Sequence, residues 1–177
     1  QLYNIIPLQI IVFIENTKSA ALFGVAFSLS TLTSFLITLS YTFVSHDIAT
    51  AYSISDKKQL KKINFNTSMT LCLIAIAFFL IFILFGRYLL SLWGDEYSSA
   101  YYVLIILSLG QIINSLGGVS EMILHICGLE KKVLMISLKS LAISFISCLI
   151  LTYMFGYLGT AIGYVITIAS YNILKLN

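Results

Sequence analysis

The chain has 177 residues, 59% hydrophobic and 10% charged, with a mean hydropathy of +0.99 and a net charge of +3. A soluble domain carries about 25% charged residues, so a chain this apolar lacks the polar surface to face water and reads as an integral membrane protein. The small net charge argues against a nucleic-acid partner, and the sequence has no Gly-rich phosphate loop and no metal-ligand cluster.

The three cysteines, Cys72, Cys127 and Cys148, each lie in or at the end of an apolar run without CxxC spacing. They read as small hydrophobes. The chain begins at Gln1 and enters an apolar run almost at once, with no signal-peptide pattern. The expectation is a piece of a longer protein, about one half of it.

A membrane-spanning helix needs about 20 apolar residues, and only helices or closed barrels satisfy every backbone group in lipid. The apolar runs here are long and lack the period-2 alternation of barrel strands. No Asp, Glu, Lys or Arg lies between Lys18 and Asp47, Lys62 and Arg87, Glu96 and Glu121, or Lys139 and Lys175. The fold class expected is therefore all-α: a polytopic helix bundle with one partial helix at about 2–14 and five full ones near 19–46, 66–86, 98–128, 133–154 and 160–175. The last charge-free interval holds two of these, with "FGYLG" (155–159) as the turn between them, since glycine tolerates turn angles.

Lys57, Lys58, Lys61, Lys62, Lys131, Lys132, Lys139 and Lys175 fall on one set of helix ends and only Lys18 and Arg87 on the other. The first set is expected to be cytoplasmic. Tyr88, Trp93, Tyr97, Tyr101 and Tyr102 gather at an outer boundary, where aromatic rings prefer to sit. The linker at 53–65 interleaves Ile54, Leu60 and Ile63 with four lysines. It reads either as an amphipathic helix lying among the headgroups or as a solvated loop.

Residues three and four apart share a helix face. Gly24, Ser28, Thr31, Ser34, Thr38, Thr42 and Ser45 form such a stripe, with Leu32, Leu36 and Leu39 off it. Small residues and hydroxyls of this kind either let helices pack closely, bonding their own carbonyls, or line a hydrated cavity. Gln9 following Pro7 in the partial helix, and Gln111, Asn114 and the pair Gly117-Gly118 in the helix expected at 98–128, favour a cavity somewhere, because Pro and Gly are tolerated where neighbours or water take up freed backbone groups. The candidate cavity residues are Gln9, Ser28, Thr31, Ser34, Thr38, Thr42, Gln111 and Asn114. Glu121, His125 and Lys139 are ionisable candidates. Glu121 and His125 are i, i+4 and can meet, with a boundary pair near the headgroups as the plainer reading, and Lys139 can snorkel to the same surface. "GTAIG" (159–163) is a GxxxG, a motif of close helix contact.

Two longer stretches carry a resemblance. "AALFGVAFSLSTLTSFLITLSYTFVSHDIATAYSISDKKQLKKI" is similar to the start of the second half of polysaccharide and O-antigen flippases, in the multidrug/oligosaccharidyl-lipid/polysaccharide exporter superfamily. "LFGRYLLSLWGDEYSSAYYVLIILSLGQIINSLGGVSEMILHICGLEKK" resembles the helix pair that follows, through Gly94, Tyr97, Ala100, Gly128, Lys131 and Lys132. The chain departs from the family pattern at Asp47, which stands where a proline usually precedes "IA".

The resemblance implies the second lobe of a two-lobe transporter with twelve or fourteen helices around a central, often cationic cavity. It implies a bacterial cytoplasmic (inner) membrane location and a role in lipopolysaccharide or other polysaccharide biosynthesis. The substrate would be a lipid-linked oligosaccharide, its sugars carried on polyprenyl pyrophosphate, moved from the cytoplasmic to the outer leaflet by alternating access. Expected partners are membrane lipids, the N-terminal half of the same protein, and polysaccharide polymerase and chain-length proteins. No cofactor and no enzymatic step are expected. The alternatives are a cation-coupled drug exporter of the same superfamily, a polysaccharide polymerase or ligase, or a membrane subunit without a transport role.

Overall fold

The computed structural model describes residues 5–176. Its elements in chain order are α1 (Ile6–Ile14), α2 (Thr17–Ser30), α3 (Leu32–Ser53), α4 (Lys57–Ser91), a 3-10 turn (Asp95–Ala100), α5 (Tyr101–Leu116), α6 (Ser120–Ile126) and α7 (Glu130–Leu176). Among the described residues the fold is all-helical, and four segments are long and apolar enough to cross a membrane: Thr17–Ser53, Lys57–Ser91, Asp95–Leu116 and Glu130–Lys175. Of the partial helix expected at 2–14, the first residues lie outside the described ones. Pro7 sits in the first turn of α1, where its missing N–H costs nothing, so it does not weaken the helix near Gln9.

Three helix boundaries differ from the sequence expectation, each for a local reason. The run read as one helix at 19–46 is two, joined at Thr31. There the hydroxyls of Ser28, Ser30 and Thr31 donate to Gly24 O, Phe27 O and Ser28 O at 2.8, 2.8 and 2.9 Å. Such back-bonding bends helices. The helix expected from 66 starts at Lys57 instead and runs unbroken to Ser91, because Asp56 caps it and no Gly or Pro interrupts the first turns. The interval read as 98–128 opens with the 3-10 turn and is broken between Leu116 and Ser120, at the Gly117-Gly118 pair.

Side chains of α4 hold that break. Asn64 Oδ1 accepts from Val119 N at 3.1 Å and from Ser120 Oγ at 3.2 Å, and Ser68 Oγ donates to Leu116 O at 3.2 Å. Backbone groups freed inside an apolar bundle need such partners.

Helix α7 folds back on itself at Gly156, whose backbone is non-helical (φ 62°, ψ −148°). Thr152 and Thr160 hydroxyls lie 2.7 Å apart, and Ser147 Oγ donates to Gly163 O at 3.3 Å. These pairs step in opposite directions along the chain, so the two arms are antiparallel. The GxxxG pair lies in this contact: a Cβ on Gly163 would meet Cys148 Cα and N at 2.9 Å, and one on Gly159 would strike the Leu151 carbonyl.

Tyr157 N donates to Glu15 Oε1 at 2.9 Å, and Lys18 pairs with Glu96 at 3.0 Å. The α1–α2 corner, the 3-10 turn and the α7 reversal therefore meet at one end of the bundle. The core is built by Phe23 and Ala26 of α2, Val103, Leu104 and Leu107 of α5, and Tyr164 and Ile168 of α7. Many large apolar side chains stay outside it, Phe43, Leu84 and Tyr153 at 74–83% exposure among them. Cys72, Cys127 and Cys148 are free thiols, and Cys148 is buried between the α7 arms.

Candidate functional site: a polar cavity between α3, α6 and α7

A cavity of about 180 Å³ lies between three walls. Thr31, Ser34, Thr38 and Tyr41 come from the kinked α2–α3 unit, spaced 3, 4 and 3. Asn114, Gly118 and Glu121 come from the end of α5, the break and the start of α6. Tyr164, Ile168, Tyr171 and Lys175 come from the second arm of α7, spaced 4, 3 and 4. Both spacings put their residues on one helix face. The volume accommodates several waters at roughly 30 Å³ each.

A buried hydrogen-bond cluster borders the cavity. Ser34 Oγ donates to Gln111 Oε1 at 2.6 Å, and Asn114 Nδ2 donates to the same oxygen at 3.3 Å. Gln111 is 1% exposed, and its Nε2 has no partner among the described residues. Gln111 therefore stands behind the lining and holds Ser34 and Asn114, which do face the cavity. Asn172 Nδ2 donates to Ile113 O at 3.3 Å, tying the second arm of α7 to α5 just before the break. Lys175 Nζ stands 4.5 Å from the Tyr171 ring centroid, so a cation–π contact helps to hold it along the wall. The charged side chains of the lining are one carboxylate and one ammonium, Glu121 and Lys175. The lining is thus polar and close to neutral.

Of the residues singled out from sequence, Thr31, Ser34, Thr38, Asn114 and Glu121 line this cavity, and Gln111 joins it through Ser34 and Asn114. The others are elsewhere. Ser28 bonds its own helix, Thr42 is exposed, and Gln9 lies in an apolar groove beside Phe13 and Phe145. His125 and Lys139 are exposed and outside the lining. By hydrogen bonding the hydroxyl stripe divides differently: Ser28, Thr31, Thr38 and Ser45 donate to carbonyls of their own unit, and Ser34 reaches another helix.

Sequence reasoning missed Tyr41, Tyr164, Tyr171 and Lys175. The same three-and-four spacing that marked α3 runs through 164, 168, 171 and 175. Lys175 was read only as a charge at a helix end. Comparison with protein families, with curated proteins and with solved structures finds no match to this chain.

Proposed function

We propose that the protein is the second lobe of a transporter that moves a lipid-linked oligosaccharide from the cytoplasmic to the outer leaflet of a bacterial inner membrane, by alternating access. The observation that carries this reading is the cavity: a hydroxyl-, amide- and tyrosine-lined space set inside a helical bundle whose outer surface is apolar. Its five crossings would be α2–α3, α4, the segment from the 3-10 turn to α6, and the two arms of α7, with the exposed apolar side chains against lipid.

A sugar cannot cross hydrocarbon unaided, because each polar group buried without a partner costs several kcal/mol. Donors and acceptors such as Asn114, Ser34, Thr38 and Tyr41 would replace water around sugar hydroxyls. The resemblance raised the expectation of a cationic cavity, whereas Lys175 is balanced here by Glu121. This wall therefore suits the uncharged, polyhydroxylated portion of the substrate better than its pyrophosphate. The polymerase, ligase and non-transport readings have no comparable observation in their favour. Cation-coupled export has one, since Glu121 is a carboxylate on the cavity wall beside Tyr41 and Asn114.

The test uses the full-length protein in vesicles loaded with a lipid-linked oligosaccharide. The measured quantity is the fraction of sugar open to a glycosidase added on the far side. Active protein is expected to raise that fraction, and Thr38→Trp, which fills the cavity, to abolish the rise. No rise with well-folded protein, together with cation-dependent efflux of a lipophilic drug, would move the assignment to the exporter class.

A further inference from the structure

A second groove, of about 490 Å³, runs along the lysine-bearing end of α4 and plays no part in the transport reading. Lys61 stands at its head. Phe65, Met69 and Cys72 follow on successive turns, and Leu116, the last residue of α5, forms the opposite wall. Residues 61 to 72 cover about 16 Å of helix axis at 1.5 Å per residue, long enough to receive much of an acyl chain. The body of the groove is apolar and open, with Phe65 64% and Leu116 58% exposed.

Lys61 makes the head of the groove cationic, with Lys57 one turn before it on the same helix face. Lys57, Lys58, Lys61 and Lys62 are all exposed, and Lys58 and Lys62 line a separate groove on the neighbouring face of α4. The ion pairs among the described residues are Lys18–Glu96 and His46–Asp47, so none of the four lysines is paired. Asp56, the nearest acid in sequence, caps α4 by accepting from Lys58 N and Gln59 N at 3.0 Å each. The charge-free interval of α4, residues 63–86, is about 36 Å long. It matches a hydrocarbon core of about 30 Å and sets the lysines at headgroup level.

We infer that this groove is a binding site for an anionic phospholipid, with the phosphate headgroup on the α4 lysines and one acyl chain along Phe65, Met69 and Cys72. The apolar trench and the unpaired charges are separate observations that meet at Lys61. A zwitterionic lipid fills the trench as well but brings no net charge to the lysines. An anionic one gains on the order of fivefold in affinity for each lysine engaged. Asn64 and Ser68 form part of the same lining, so the occupant lies against the side chains that hold the α5–α6 break.

Trp93 is the single tryptophan of these 177 residues, so changing it, and any tryptophan elsewhere in the full-length protein, to Phe gives a background without indole emission. In that background Phe65→Trp reports on the groove. Thr70→Trp, exposed and about 140° round the same helix, is the control. Each protein is reconstituted in phosphatidylcholine vesicles and titrated with chain-brominated phosphatidylglycerol or chain-brominated phosphatidylcholine. The Phe65→Trp emission is expected to be quenched by the anionic lipid at several-fold lower mole fraction. That preference is expected to fall to parity when all four lysines are changed to Gln, or, should that variant fail to fold by circular dichroism, in molar salt, which screens exposed charge. Equal quenching by the two lipids, an equal anionic preference at Thr70→Trp, or a preference that survives removal or screening of the charge would overturn the site.

Discussion

Gly163 and Gly24 are both glycines on helices that read as spans, yet they have opposite surroundings. A Cβ at Gly163 would press on backbone atoms of Cys148 at 2.9 Å, and backbone cannot swing aside. A Cβ at Gly24 would meet only the Leu8 side chain at an ordinary 3.5 Å. Gly163→Ala is therefore expected to destabilise the protein by about 1–3 kcal/mol, as overpacking does, and Gly24→Ala to be neutral or slightly stabilising through helix propensity. Thermal or denaturant unfolding in detergent reads both. Ser34 and Ser28 make a second contrast. Ser34→Ala removes a bond to another helix and leaves Gln111 Oε1 with Asn114 Nδ2 as its remaining donor, at a cost of about 1 kcal/mol. Ser28→Ala removes only a bond to its own helix and is expected to change stability by less than half as much. The three-and-four spacing of these hydroxyls is legible in the sequence. Which of them leaves its own helix is not, because any Ser or Thr on a helix can bond a carbonyl three or four residues back.

At the scale of elements, charge-free intervals marked where the long apolar helices lie, since a charge in hydrocarbon is costly. They did not mark where helices bend or merge. The Thr31 bend comes from clustered hydroxyls, with neither Gly nor Pro at the joint. The continuity of α4 from Lys57 comes from a capped, uninterrupted start that composition alone assigned to a separate linker. The break before α6 was legible in Gly117-Gly118. Its support was not, because Asn64 stands 55 residues from Val119 in sequence. Asn64→Ala strips the partner from Val119 N–H, and leaving a buried donor unmet costs about 1–3 kcal/mol. The expected signature is local: hydrogen exchange quickens at residues 117–120 while the middle of α4 keeps its protection. Uniform loss of protection along α4 would mean that Asn64 supports the whole helix and not the break.

For the molecule as a whole, the cavity depends on chain segments far apart in sequence, which is why the α3 and α5–α6 walls were legible and the α7 wall was not. The α3 hydroxyls stood out within an apolar run. Tyr164, Tyr171 and Lys175 looked like ordinary residues of a terminal helix until the reversal at Gly156 brought that arm back against α5. The central claim is that the space between these walls is wet and open to solutes, and substituted-cysteine accessibility tests it most directly. In the full-length protein with all native cysteines replaced, Cys72, Cys127 and Cys148 among them, single cysteines at Ser34, Thr38 and Asn114 are treated with a membrane-impermeant thiol reagent, beside controls at Leu32 and Leu39 on the outward face of α3. Labelling of the first three with the two leucine positions protected is the predicted result. Protection at all five positions, in the presence and absence of substrate, would make the hydroxyls packing groups and contradict the account.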